Sequence, residues 1–123
     1  MTLVDTSVWV DHFQKGNTEL QNLLQSNEVL MHPFIMGELS CRTMRNRGEI
    51  LRLLQELPEA RVAEHEEVLG LVERKRLWGR GIGWIDVHLL ASALLSRSTI
   101  WTLDRQLSRV ASSLPLPSIT MRP

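Results

Sequence analysis

Two short apolar runs in this chain stop abruptly on aspartate. Thr2-Leu3-Val4 ends at Asp5, and Thr99-Ile100-Trp101-Thr102-Leu103 ends at Asp104. Brief apolar stretches of this kind read as buried strands. Helical patterns alternate with them along the chain. Val8, Trp9 and Phe13 follow a cap at Thr6 or Ser7, up to Gly16-Asn17; Leu20, Leu23 and Leu24 suggest a second short helix. Val29-Leu30-Met31 reads as another strand. Pro33 suits a first helical position, and Phe34, Ile35, Leu39 and Met44 extend that helix to a break near Asn46–Gly48. Ile50 to Leu57 forms a further helix ended by Pro58, and Arg61-Val62-Ala63 reads as a third strand. Helices are predicted from His65 to Trp78, from Ile85 to Ser96 and over Arg105–Ser112, with an edge strand at Ser118-Ile119-Thr120. Short strands alternating with helices give an α/β fold, a parallel sheet of four to five short strands flanked by α-helices. At 123 residues without repeats or linker, one domain over the whole chain is expected.

In open parallel sheets, ligands bind beyond the carboxyl ends of the strands. Asp5 and Asp104 are both delivered to such an end, though aspartate also serves well as a helix cap. Asp86 opens the clearest helix and shares a face with Leu89, Leu90, Ala93 and Leu94. Glu38 follows Phe34 by four residues and so lies on the apolar side of its helix. Carboxylates converging on one point repel, and must take up protons or bind a cation. Oxygen-only ligation selects a hard ion, Mg²⁺ or Mn²⁺. Thr6, Ser7 and Thr102 are placed to hydrogen-bond and orient these acids.

The charge pattern adds possible contacts. Net charge is zero, but all basic residues except Lys15 and Lys75 are arginine, and they cluster. Arginine's planar fork suits phosphate, which makes Arg42, Arg80 and Arg105 candidates for substrate binding, Arg80 within the flexible Gly79–Gly83 segment. Trp101 is expected in the core. Trp9 and Phe13 on the first helix are candidates to line a groove for a partner's amphipathic helix. Four scattered histidines form no obvious pair with a strand-end acid, and no nucleophile-elbow pattern surrounds Ser7. A single cysteine, Cys41, no signal peptide and no long apolar run fit a cytoplasmic protein without a membrane span.

These residues resemble the PIN-domain family, most closely its VapC-like ribonuclease toxins from toxin–antitoxin systems. "LVDTSVWVDHF" looks like the first motif of that family, "GELS" the second, "WIDVHLLASA" the third and "TLDRQL" the fourth; they supply Asp5, Glu38, Asp86 and Asp104. The likeness runs from Thr2 to about Met121. Many relatives carry a further acid soon after the fourth aspartate, where this chain has Arg105 and Gln106, which puts a second metal position in doubt. The resemblance implies a homodimer, a cognate antitoxin protein and an RNA substrate. It also implies catalysis by these four acids through a metal-activated water, leaving 5′-phosphate and 3′-hydroxyl ends. Two other readings accommodate the sequence: a non-catalytic partner-binding module, and a Mg²⁺-dependent phosphatase of the haloacid-dehalogenase kind. The latter usually needs a second aspartate where Ser7 stands.

Overall fold

The structure is a computed structural model and describes residues 1–117. In chain order it contains β1 (Thr2–Val4), α1 (Thr6–Lys15), α2 (Thr18–Gln25), β2 (Val29–Leu30), α3 (Pro33–Ser40), α4 (Arg47–Leu54), α5 (His65–Lys75), α6 (Trp84–Ser96), β3 (Thr99–Trp101) and α7 (Arg105–Ser112). The strands run parallel in the order β2-β1-β3. The first strand made is therefore the central one. Leu3 pairs with Leu30 on one side and Ile100 on the other, and Val4 with Trp101.

Burial explains why these short strands persist. Leu3, Val4, Ile100 and Trp101 are essentially inaccessible to water, as are Ile35 and Leu39 of α3, Leu89 and Leu90 of α6, and Leu107 of α7. Each such side chain contributes roughly 1.5–3 kcal/mol when fully buried. Helix α6 is enclosed on most of its circumference, since every residue from Val87 to Ala93 is buried. None of the helices among the described residues is long and apolar enough to cross a membrane.

Several predicted boundaries move. Only three strands form among the described residues, against the four to five expected; Ser118–Thr120 lies outside the described residues. Arg61-Val62-Ala63 is not a strand. The sheet-like contact comes earlier, as a parallel bridge between Met31 and Glu59, with Met31 N donating to Pro58 O and Ala60 N to Met31 O. Beyond that bridge the N–H groups turn to α6: Arg61 N donates to Ser96 Oγ and Ala63 N to Ser92 Oγ. Helix α3 ends at Ser40 and does not continue to Met44, because the Arg47 guanidinium donates to the Ser40 carbonyl at 2.5 Å and caps the turn. Helix α5 stops at Lys75, where Arg76 adopts a left-handed conformation with φ of 53°. Strand β3 stops at Trp101, two residues sooner than predicted, because the next N–H groups go to hydroxyls: Leu103 N to Ser7 Oγ and Asp104 N to Thr102 Oγ1.

His32 is a fully buried polar residue that caps α3. Its Nδ1 accepts from Phe34 N at 3.0 Å, so the ring proton sits on Nε2 and faces Ser92 Oγ at 3.1 Å. Burial, reinforced by nearby His88, lowers its pKa from 6.5 to about 4. Above pH 6.5 the ring is neutral whether the chain is folded or not. Below that, the unfolded chain takes up a proton that the folded chain refuses, until about pH 4. Acidification across this window is expected to remove about 3 kcal/mol of stability. Denaturant titrations of wild type and His32→Asn at pH 7 and pH 4.5 check this: the pH-dependent loss should be much smaller in the variant, and an equal loss would assign it to other groups.

Candidate active site

The end of β1 carries Asp5 into the mouth between the strand tips, where it is buried to 8% exposure. It occupies the cap position of α1, yet its side chain makes no capping bond. The carboxylate turns to β3 instead. Its Oδ2 accepts from Thr102 Oγ1 at 2.7 Å and from Ser7 Oγ at 2.9 Å. Asp104 does cap its helix: Oδ1 accepts from Gln106 N at 2.9 Å and from Leu107 N at 3.1 Å. Asp86, in the first turn of α6, accepts from Gly83 N through Oδ2 at 3.1 Å. Glu38, exposed on α3, accepts from Thr6 Oγ1 through Oε1 at 2.6 Å.

The same division recurs in all four acids. One carboxylate oxygen is fastened to the fold, while Asp5 Oδ1, Glu38 Oε2, Asp86 Oδ1 and Asp104 Oδ2 accept no hydrogen bond among the described residues. None of the four forms an ion pair within that part of the chain; the two ion pairs there are Lys15–Asp11 and Arg52–Glu56. Burial pushes the half-buried Asp86 carboxyl above its usual range. The Gly83 N–H opposes that, and the charges of Asp5, Asp104 and Glu38 add to it. The four predicted acids therefore share one electrostatic neighbourhood.

The donor set is all oxygen, and it is uncompensated. Both properties fit a hard divalent cation. As the side chains stand, no three carboxyl, thiol or imidazole groups among the described residues are gathered tightly enough to surround an ion. Mg²⁺ retains several of its waters and needs only one or two direct carboxylates, so an open ring of acids is compatible with it.

Thr102 links the two strand-tip aspartates. It is fully buried, donates to Asp5 Oδ2 and accepts from Asp104 N at 3.0 Å. Ser7 does the same one position along, donating to Asp5 and accepting from Leu103 N at 2.9 Å. Thr102→Val keeps the shape and deletes the hydroxyl. It leaves the Asp104 N–H unpaired and is expected to cost about 1–3 kcal/mol, measured as a shift in the denaturant midpoint at unchanged slope.

The remaining candidates fall in different places. Arg80 lines a pocket with Gln106 and Arg109 next to α7, whereas Arg42 lines a separate one with Phe13 and Arg45. Arg105 is exposed in the first turn of α7. Trp9 corrects an expectation: at 1% exposure it belongs to the core and offers no surface to a partner. Phe13, half-buried, packs on it with ring centroids 5.9 Å apart and does reach the Arg42 pocket. The structure also gathers an aromatic row, largely from residues that neighbour Glu38 and Asp86 in the sequence. His65 lies 5.1 Å from Trp84, Trp84 is 4.8 Å from His88, and His88 is 4.7 Å from Phe34. The signal was present, because Phe34 precedes Glu38 by one helical turn and Trp84 and His88 flank Asp86. Arg109 was also missed; it follows Gln106 by three residues and so shares its helix face.

Comparison with known proteins agrees with this geometry. The family model described as "PIN domain" matches residues 2–113. Ribonuclease VapC32 of Mycobacterium tuberculosis, from strains CDC 1551 and H37Rv, is 44% identical over 108 residues, covering 87% of each chain. The crystal structure of PAE2754 from Pyrobaculum aerophilum superposes with a TM-score of 0.59 at 17% identity, covering 89% of this chain and 78% of that one, a likeness of fold. With strand-tip aspartates, a parallel sheet and a family match along nearly its whole length, this chain belongs to the PIN domain family.

Proposed function

We propose that this chain is an endoribonuclease that depends on Mg²⁺ or Mn²⁺, with Asp5, Glu38, Asp86 and Asp104 as its catalytic and metal-holding residues. In this reading it is a cytoplasmic toxin that acts as a homodimer and is restrained by a cognate antitoxin. The observation that carries the reading is the division of each carboxylate into one anchored and one unengaged oxygen, with no cation from the described chain to balance them. The name of the mycobacterial relatives, ribonuclease, supports the substrate class.

Such an ion, when bound, lowers the pKa of a water and offsets charge developing on a phosphate. The chain supplies everything that positions it. Ser7 and Thr102 hold Asp5 in one orientation, Thr6 steadies Glu38, and the starts of α6 and α7 fix Asp86 and Asp104. Ligands held in this way by outer hydrogen bonds typically lose 10–100-fold in metal affinity or activity when the support is removed.

The test uses pure protein without any partner, incubated with cellular RNA, followed by mapping of the new ends. Cuts should require Mg²⁺ or Mn²⁺, disappear in EDTA, vanish in Asp104→Ala, and leave 5′-phosphates. A 2′-O-methyl group at the cut nucleotide should leave cleavage standing where binding is retained, since a water nucleophile does not need that hydroxyl. Cyclic 2′,3′-phosphate ends would refute the mechanism. RNA binding without any metal-stimulated cutting would favour the non-catalytic module.

A further inference from the structure

The acid ring creates a problem for its own substrate. An RNA strand is a polyanion, and two strand-end aspartates with Glu38 of α3 and Asp86 of α6 repel it. Productive binding requires positive charge close to the acids but not paired with them. The structure contains such a place. Between the segment 79–83 and α7 lies a pocket of about 450 Å³ lined by Gly79, Arg80, Gly81, Gln106, Arg109 and Val110. No acid lines it. The guanidinium groups of Arg80 and Arg109 make no hydrogen bond or ion pair among the described residues, so neither fork of donors is engaged there.

Both walls of this pocket are tied to the acids. Gln106 gives its N–H to Asp104. Gly83, at the end of the other wall, gives its N–H to Asp86. The walls meet closely at Gly81. It has φ of +80°, and a Cβ there would stand 3.2 Å from Gln106 Cγ and 3.3 Å from Cδ. Glycine lets the loop settle against α7, so that the arginine of one wall and the arginine of the other face one cavity.

We propose that Arg80, Gln106 and Arg109 form a phosphate subsite that grips one phosphodiester of the RNA strand beside the bond that is cut. The paired guanidiniums suit the bidentate geometry of phosphate oxygens, and the Gln106 amide adds a neutral donor. The nuclease reading enters in naming RNA as the ligand and in placing this phosphate beside the bond that is cut.

The experiment measures binding of a short unstructured oligoribonucleotide to the full chain in EDTA, where no cleavage is needed. Single phosphates are replaced in turn by neutral methylphosphonates. One position should weaken binding to wild type more than Arg109→Gln or Arg80→Gln alone does, with a smaller further loss in each single variant and none in the double variant. Each variant should flatten the dependence of log K on log salt by about 0.7. Lys15→Gln, which removes a charge outside the pocket, should retain the position-specific loss. Circular dichroism melts should match wild type, because neither arginine has a partner in the fold. Equal losses for wild type and variants at every phosphate would overturn the proposal, as would undetectable binding by wild type. So would an acidic peptide whose affinity falls in Arg109→Gln while that of RNA does not, which would assign the pocket to a protein ligand. Failure of wild type to cut RNA in Mg²⁺ would sink the nuclease reading and leave the methylphosphonate result standing.

Discussion

Asp86→Asn is expected to reduce RNA cleavage by on the order of 10²-fold or more while making the metal-free protein harder to unfold. The two effects have one cause. The Asp86 carboxyl is half-buried and feels the charges of Asp5, Asp104 and Glu38, so its ionised form is unfavourable in the fold. Asparagine retains an oxygen for the Gly83 N–H, keeping the cap of α6, and removes the repulsion. In EDTA at pH 7 the variant should melt higher than wild type. As pH falls through the raised pKa of Asp86, wild type recovers that stability by protonation and the difference should shrink. Mg²⁺ reverses the order. An ion that binds only the folded state raises the melting temperature as its concentration exceeds Kd, and this gain should be large in wild type and small in the variant. A melting temperature in EDTA unchanged by the substitution, with an undiminished Mg²⁺ response, would mean that the acids do not act as one group.

Trp9→Ala is expected to cost about 3–5 kcal/mol, the usual range for deleting a buried tryptophan. Against a total of about 5–15 kcal/mol for a folded domain, that loss threatens the fold itself. Weak partner binding by this variant would then reflect unfolding. Phe13→Ala is the informative substitution for a partner's helix, because Phe13 is half-buried and reaches a surface pocket with Arg42 and Arg45. In the proposed toxin, Phe13→Ala should lower antitoxin affinity with RNA cleavage retained. Titration of antitoxin against both folded proteins, after measuring urea midpoints, separates the two residues. A Trp9→Ala protein as stable as wild type would contradict the packing described above.

Features set by local demands were legible in the sequence. An apolar run that ends on an acid marks the end of a buried strand, which located β1 and Asp5 and, to within two residues, the end of β3 ahead of Asp104. Helical spacing put Asp86 on an inward-facing stripe, where it is half-buried, but it also put Glu38 on the apolar side of α3, and there the structure differs: Glu38 and Phe34 are exposed, because only Ile35 and Leu39 of that helix face the core. What was not legible depends on partners distant in the chain. Periodicity gave the stripe containing Val8 and Trp9 but not the elements that close over it, so a core tryptophan passed for a surface one. The early end of α3 is set by Arg47, seven residues beyond Ser40. Arg61-Val62-Ala63 has the composition of a strand, but the hydroxyls of Ser92 and Ser96 claim its N–H groups. Arg80 and Arg109 come to line one pocket where Gly81 of one segment packs against Gln106 of another distant in the chain. Membership of the PIN domain family also sets aside the phosphatase reading: the hydroxyl of Ser7, where a second aspartate would be needed, is committed to Asp5 and Leu103.

The central strand is synthesised first, and both of its neighbours come later: β2 soon after, β3 nearly a hundred residues on. Until β3 docks, Asp5 lacks the hydroxyl of Thr102, and Asp104 has no place beside it. A growing chain on the ribosome therefore holds three of its four acids without the seam that aligns them. Pairing across so long a stretch is slow to form. The seam between β1 and β3, and with it the alignment of the strand-end aspartates, is thus a late product of folding that the order of the strands itself imposes.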